Sequence, residues 1–534
     1  MNPSRQKTTS VLAVLVTTVG ATLLAENMPT VNGSETPKQR YSASQRIAVL
    51  KAIAAEIPTN AVVIDPGASI QSAVSTNPPG TAFRLKAGVH RLQSIVPKDG
   101  MAFYGEIDRD GTLLTTLSGA AVLKNANKNG SLHEFSGQKH KGGRVAFYGG
   151  KIFTQKGWEG SSYVEDVFLN DVPLKHVLKT NEVAAGTFIF DYDRDAICLA
   201  DDPVGKTVEV SSLHSAFSGS AKKVVIKGLI IEKYACSESG AVGGFNIAGW
   251  LIEGNEVRYN HTTGINLNNN CTARWNYAHH NGMIGIGVFE GKHRHVREEA
   301  RKQGNNNLIE FNESAYNNYA HFDCHNQTAG IKNLVGTAVT IRGNYIHHND
   351  ARGIWLDVGT VGSVIADNVI VSNSFSGIVV ELGFDTVIRS NLVADNGKKM
   401  AGGVHGYQIV IQVSEGSDVF ANTIIQSATS GGGIVIEFAQ RQSDRFTRNN
   451  YIHHNTIHAF PNKISAALYC YAKGLSQEAQ DNFFNTDNNR FDHNLYHVNN
   501  TEADTLFERE GKKLSLNQFR EFGQETHGEL RRAH

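Results

Sequence analysis

Through the middle of the chain, apolar residues come in runs of two or three, alternate with polar ones, and recur at a regular spacing. Glu253–Asn268 (EGNEVRYNHTTGINLN), Arg274–Phe289 (RWNYAHHNGMIGIGVF), Arg342–Asp357 (RGNYIHHNDARGIWLD) and Ala366–Glu381 (ADNVIVSNSFSGIVVE) share one template: Asn, four residues, Asn, three residues, Gly-Ile. The leading asparagines Asn255 and Asn276 are 21 residues apart, Asn344 and Asn368 are 24, and Asn368 and Asn391 are 23. Asn312 with Asn317, and Asn450 with Asn455, repeat the pair. Period-two alternation in short β-branched runs predicts strands. A unit this small cannot bury its own apolar face, so it must stack on its neighbours. The expected architecture is all-β: a solenoid of ~21–25-residue coils with parallel strands ~4.8 Å apart. The asparagines should form a ladder at a corner. An α-solenoid of similar period does not fit, because the runs are β-branched and Gly-punctuated without helical periodicity.

The flanks fit a capped solenoid. Residues 61–528 are expected to form it, with opening coils 61–220, core coils 221–500 and a closing segment 501–528. Gly67–Leu92 reads as the helix and first coil that cap the N-terminal end, where an uncapped solenoid would expose apolar side chains and strand edges. Residues 26–60 read as a polar linker with one short helix, Ser42 to Ile57. Residues 1–25 read as a signal peptide: Arg5 and Lys7 precede an apolar run, Ser10 to Ala25, that is short for a spanning helix. The expected location is therefore secreted, periplasmic or cell-surface, without stable membrane insertion. Further helix is expected in the charged 290–306 loop and at Leu514–Glu521. Lys+Arg and Asp+Glu are both 51, so no basic surface calls for nucleic acid. Glycine is frequent at 52 and proline sparse at 11, as tight corners require. The five cysteines are far apart without a CxxC pair, which predicts buried free thiols.

Several segments carry a family resemblance. GTAFRLKAGVHRLQSIVPKDGMAFYGE and LSGAAVL open the solenoid; DVFLNDVPLKHV and FDYDRDAICLADDP follow. AGIKNL, GIWLDVG, GIVVELGF and DTVIRSN form its core, and FDHNLYHV and LSLNQFREFGQETHG close it. Together, over roughly Val62 to Gly528, they resemble secreted bacterial right-handed parallel β-helix repeat proteins of the pectate-lyase-like superfamily. The resemblance implies a right-handed β-helix and a polysaccharide partner. It leaves the activity open, since this fold hosts lyases, polygalacturonases, other glycosidases, epimerases and adhesins.

Candidate chemistry lies on the Gly-Ile strands. Ile354 and Leu356 should face the core, which turns Trp355 and Asp357 outward. The same alternation turns Glu381 and Glu437 outward. Asp357 and Glu381 are 24 residues apart, and Lys332 precedes Asp357 by 25, so all three are expected to stack on neighbouring coils as a catalytic group. Neighbouring like charges are unfavourable unless used or bridged. A retaining glycosidase wants its carboxyls about 5–5.5 Å apart. Trp355, Phe384, Tyr319 and Phe322 could present rings to sugar, and Asp323, His325 and Glu437 could bind substrate. A lyase or C5-epimerase needs more cations, for which Lys332, His325, His405 and Arg389 are candidates. That supply looks thin, which favours hydrolysis. A non-catalytic carbohydrate-binding or structural role is the other alternative. No cofactor is expected, with Ca²⁺ between stacked carboxylates as the exception. The His-His-Asn repeats (His279-His280, His347-His348, His453-His454) are not expected to bind metal, because neighbouring strand residues point opposite ways. The chain is expected to act as a monomer.

Overall fold

The computed structural model describes residues 41–532 except 141, 146–152, 238, 290–304, 401, 440–445, 472–474 and 499–504. The predicted signal peptide and most of the charged 290–306 loop lie outside these residues.

The sequence template becomes three walls. In one coil, Leu251–Glu253 joins the first wall, Glu256–Arg258 the second and Thr263–Leu267 the third. Asn255 and Asn260 occupy the corners between them. Each following coil adds one parallel strand per wall; among the described residues the first two walls have thirteen strands each and the third has ten parallel strands plus Lys512–Leu514, which pairs antiparallel with Phe507–Arg509. The middle residue of a three-residue strand faces inward, so Ile252, Ala273, Ile309, Ile341, Ile365 and Ile388 form one fully buried stack in register. Burying each such isoleucine contributes roughly 1.5–3 kcal/mol.

Two asparagine ladders run along the corners. One runs Asn255–Asn276–Asn312–Asn344–Asn368–Asn391–Asn422–Asn455–Asn494, each Nδ2 donating to the next Oδ1 at 2.9–3.0 Å. It ends on the Glu525 carboxylate. The other runs Asn260–Asn281–Asn317–Asn349–Asn373–Asn396 and ends on Gln408. The hexapeptide NYIHHN does not keep one place. It brackets a second-wall strand at Asn344–Asn349 but a first-wall strand at Asn450–Asn455, so Asn455 rather than Asn450 continues from Asn422. Every corner needs the same amide chemistry, so the motif fits any of them.

Both ends are capped. Ile70–Thr76 is helical and sends Ile70 and Val74 into the N-terminal end of the core. Leu514 and the helix Leu516–Arg520, with Leu516 and Phe519, do the same at the other end. A helix at Gln477–Asn485, unanticipated, adds Phe483 to the core. Ala43–Glu56 is helical as expected, yet it is docked rather than a free linker. Leu50 and Ile53 pack on Leu113, and Arg46 Nε donates to Trp275 O at 3.1 Å.

The opening coils do not extend to 220. After Thr115–Ser118 the chain leaves the solenoid, and strands between Ala120 and Ser211 form two small, mainly antiparallel sheets. Phe135, Val167, Phe188, Ile197 and Val210 give this lobe its own core. Its run FIFDYDRDAICLADDP is a hairpin: Phe188 to Asp191 pairs antiparallel with Ala196 to Leu199. The lobe is tied to the solenoid where the Asp166 carboxylate meets His261 Nδ1 at 3.0 Å and accepts from Tyr319 Oη at 2.8 Å. All five cysteines are unpaired, as expected. Among the described residues, no helix is long and apolar enough to cross a membrane.

Two expectations follow. Asn368 donates to Asn391 and Ile341 O and accepts from the backbone and amide N–H groups of Asn344. Asn368→Ala orphans these buried groups and should cost about 3 kcal/mol in chemical denaturation, at ~1–3 kcal/mol per unmet group, with function per folded molecule retained. Glu525 is buried and accepts from both Asn494 and Tyr496, and burial pushes its carboxyl up to about 7. A carboxyl raised in the folded state stabilises below its unfolded value, and that contribution is lost as pH rises through the folded one. Stability should therefore fall from about pH 4.5 to pH 8, and Glu525→Gln should flatten the profile, gaining roughly 1–3 kcal/mol at pH 8 by denaturant titration.

Candidate functional site

The long third-wall strands present two outward columns. One runs Lys332, Trp355, Val379, Val410, Val435, Ala467; the other runs Leu334, Asp357, Glu381, Gln412, Glu437, Tyr469. Ile354 and Leu356 lie in the core, so the alternation expected here holds. Asp357 and Glu381 are Cα partners on adjacent strands, as their spacing predicts. Lys332 belongs to the other column: its partner is Trp355, while Leu334 partners Asp357. Corner loops differ in length from coil to coil, so equal sequence spacing does not guarantee equal register. Lys332 still reaches Asp357 diagonally, Nζ to Oδ2 at 3.0 Å.

The first column is covered. Trp355, Val379, Val410, Val435 and Ala467 form an apolar cluster beneath Val404, Tyr407 and Ile464. Trp355 is only 2 % exposed and offers no open platform for sugar, contrary to expectation. Its ring instead meets two cations. Lys332 Nζ lies 3.3 Å from the ring centroid and the Arg352 guanidinium 4.0 Å. Lys332 and Arg352 are 0 % and 1 % exposed. Arg352 was not anticipated; before Gly353 it reads as an ordinary turn residue, and only the fold buries it. Burial lowers the pKa of both cations, opposed chiefly by Asp357 for Lys332 and by Glu381 for Arg352. The cluster therefore pairs two cations with two carboxylates, and the cation supply is richer than the sequence suggests.

A loop closes over one end of the cluster. Arg352 Nη1 donates to Cys324 O, and Lys332 Nζ to Asn326 O at 3.3 Å. This loop places Asp323 and His325 on the rim, joined through Oδ1 and Nδ1 at 3.0 Å. Burial would raise the Asp323 carboxyl, but hydrogen bonds from His325 hold it below its usual range. The His325 ring meets Phe375 and His405 edge-on at 5.5 and 5.7 Å, and its side chain is half exposed. Cys324 turns inward to Asp350 O at 3.0 Å, so the Asp-Cys-His run does not converge.

Other predicted residues fall elsewhere or are covered. Phe384 is buried against Val361 at the corner between the third and first walls, away from the cluster. Phe322 is buried and Tyr319 is tied to Asp166. Arg389 ends a first-wall strand, 3.8 Å from Asp367. Glu437 shares the carboxylate column, one place beyond Gln412. Gln412 is 3 % exposed, and its Oε1 has no hydrogen-bond partner among the described residues.

The histidine pairs correct the geometry expected of them. The two rings of each pair meet edge-on at 84–87°, with Nδ1 to Nδ1 distances of 2.7, 2.9 and 2.7 Å for the pairs at 279, 347 and 453. The second histidine is a corner residue with φ of 47°, 52° and 52°, so strand alternation stops there. The first histidine places Nε2 on Glu256, Glu313 or Asp418.

Lys332→Met and Arg352→Met should each destabilise the chain by about 3–5 kcal/mol, because each leaves part of a buried charge cluster uncompensated. An exposed charge ladder would shift stability only within about ±0.5 kcal/mol. Denaturant titration distinguishes the two.

Residues 298–437 match the model for the right-handed beta helix region. No curated protein matches the sequence. Among solved structures, XylC in complex with xylose is 13 % identical with a TM-score of 0.55, covering 83 % of each chain. A mannuronic acid specific polysaccharide family 6 lyase from human gut microbiota is 11 % identical with a TM-score of 0.44, over 91 % of this chain and 90 % of that one. The A-module of the Azotobacter vinelandii mannuronan C-5 epimerase AlgE4 is 14 % identical with a TM-score of 0.38, over 77 % of this chain and 93 % of that one. The three parallel walls, the matched coils and the likeness to XylC agree that this chain is a right-handed parallel β-helix protein.

Proposed function

We propose that this protein is an exported carbohydrate-active enzyme that hydrolyses a polysaccharide at the Asp357–Glu381 column of its third wall. The observation that carries the reading is the pairing of these carboxylates in register on adjacent outward positions, continued by Gln412 and Glu437. Adjacent strands lie ~4.8 Å apart, near the separation at which one carboxyl acts as acid and the other as nucleophile. Lys332 and Arg352 offset the repulsion between the two carboxylates, so the fold can hold them this close. Lys332 and Arg352 are too deeply buried to touch substrate, and we assign them as positioning residues that fix the two carboxylates. Asp323 and His325 form the accessible rim for substrate. The likeness to XylC, solved with xylose, makes xylose-containing neutral glycans a sensible first class to test. The reading requires no cofactor and no second copy of the chain.

A second reading, uronate lyase or C5-epimerase, is favoured by Arg352, which, without reaching the substrate, adds a second cation that offsets the Asp357 and Glu381 charges an acidic sugar would otherwise meet. A polysaccharide panel assayed for new reducing ends and for ultraviolet absorbance of unsaturated products separates the readings. Hydrolysis gives reducing ends alone and elimination gives both; epimerisation and simple binding give neither, and a changed uronate composition of the recovered polymer marks the epimerase. Asp357→Asn and Glu381→Gln should each reduce turnover per folded molecule by at least ~10²–10⁴-fold, and each should also lower stability by about 3–5 kcal/mol by leaving a buried cation uncompensated. Full activity in both variants would remove the catalytic assignment.

A further inference from the structure

At the C-terminal end of the solenoid, three side chains from two chain segments converge outside the site described above. Asp492 ends the first-wall strand Arg490–Asp492, and His493 is the corner residue that follows it. His527 lies on the turn before the final strand Glu529–Arg532. One ligand atom from each lies within 4.8 Å of the others. Asp492 Oδ2 is 3.1 Å from His527 Nδ1 and 3.7 Å from His493 Nε2. The two imidazoles are stacked with centroids 4.5 Å apart, and His454 from the preceding coil stacks on His493 at 4.8 Å.

The carboxylate is fixed in place by the fold. Asp492 is 2 % exposed, and its Oδ1 accepts the backbone N–H groups of His493 at 3.0 Å and His527 at 2.8 Å. Thr526 Oγ1 donates at 3.2 Å, and Arg490 Nη2 lies 3.2 Å from Oδ2. Oδ2 is the oxygen turned toward the rings. The histidine side chains are 38 % and 65 % exposed, so an ion can reach them from solvent. A φ of 57° at His493 carries its ring around the corner to the side on which His527 sits. Two imidazole nitrogens and one carboxylate oxygen form a borderline ligand set, suited to Zn²⁺ with a position left for water once one of the two exposed rings turns out of the parallel stack, and unlike the all-oxygen set Ca²⁺ takes.

We propose that Asp492, His493 and His527 bind a divalent transition cation, Zn²⁺ or a close analogue, which clamps the C-terminal turn onto the last coil. The turn it would hold also carries Gln524 and Glu525, the groups on which the buried amide bonding of the last coil ends. The site is independent of the reaction proposed for the third wall.

The test is titration of the chelator-stripped full chain with Zn²⁺ alone, followed by calorimetry and by thermal melting. The expected result is one saturable site whose occupancy raises the melting temperature. His527→Ala and His493→Asn should each weaken binding at least tenfold, and the double variant should lose both the binding and the melting shift. Asparagine is chosen at 493 because it tolerates the left-handed corner. Circular dichroism confirms that each variant folds; should one fail, the other single variant decides. Absence of saturable binding in the parent chain, or undiminished binding in a folded variant, would overturn the proposal.

Discussion

The structure depends on keeping corner amides satisfied without water. A coil that turns every three to six residues brings backbone N–H groups inside at each corner, where no strand neighbour can meet them. The asparagine ladders solve this repeatedly. One Oδ1 accepts both the backbone and the side-chain N–H of the previous asparagine, while Nδ2 donates to the next Oδ1 and to a carbonyl of the coil before. The bonds are coupled along the stack, so a missing rung leaves orphans on both sides. The two ladders also need ends, which Gln408 and Glu525 supply. Terminating one on a carboxylate introduces a buried acid whose proton balance enters the stability of the C-terminal cap.

Once the corners hold, the third wall is free to be long and to carry chemistry. Its inward positions complete the core; its outward positions form an apolar column beside a polar one. Burying Lys332 and Arg352 around Trp355 is costly in a low-dielectric setting and is compensated chiefly by Asp357, Glu381 and nearby carbonyls. Such an arrangement holds carboxylates at fixed positions on a rigid sheet, which catalysis requires more than it requires raw charge. The loop at 322–326 and the segment around Tyr407 complete the cover and leave Asp323 and His325 on its rim.

The antiparallel lobe after Ser118 adds a different kind of constraint. Both nitrogens of the buried His261 face acceptors, the Asp166 carboxylate and the Ser161 carbonyl. Burial would lower the His261 pKa, but Asp166 outweighs it and raises it. This pairing favours the protonated ring, so the tie between lobe and solenoid strengthens as His261 takes up a proton.

Periodicity and residue chemistry determined the solenoid by themselves. The Asn–x4–Asn–x3–Gly-Ile template demands stacking, and alternation assigns Ile354 and Leu356 inward and Asp357 and Glu381 outward with no knowledge of the coil ends. It could not separate one corner from another, because the same hexapeptide satisfies either, and Asn450 was placed one wall away from its true position. Nor could it detect the lobe, whose apolar runs differ from solenoid strands only in pairing antiparallel. Register lay beyond it too: loop lengths moved Lys332 from the column of Asp357 to that of Trp355. Exposure was decided only by tertiary structure. Outward from a strand does not mean open to solvent, and the segments that bury Trp355, Lys332 and Arg352 come from other coils, whose arrival no local pattern records.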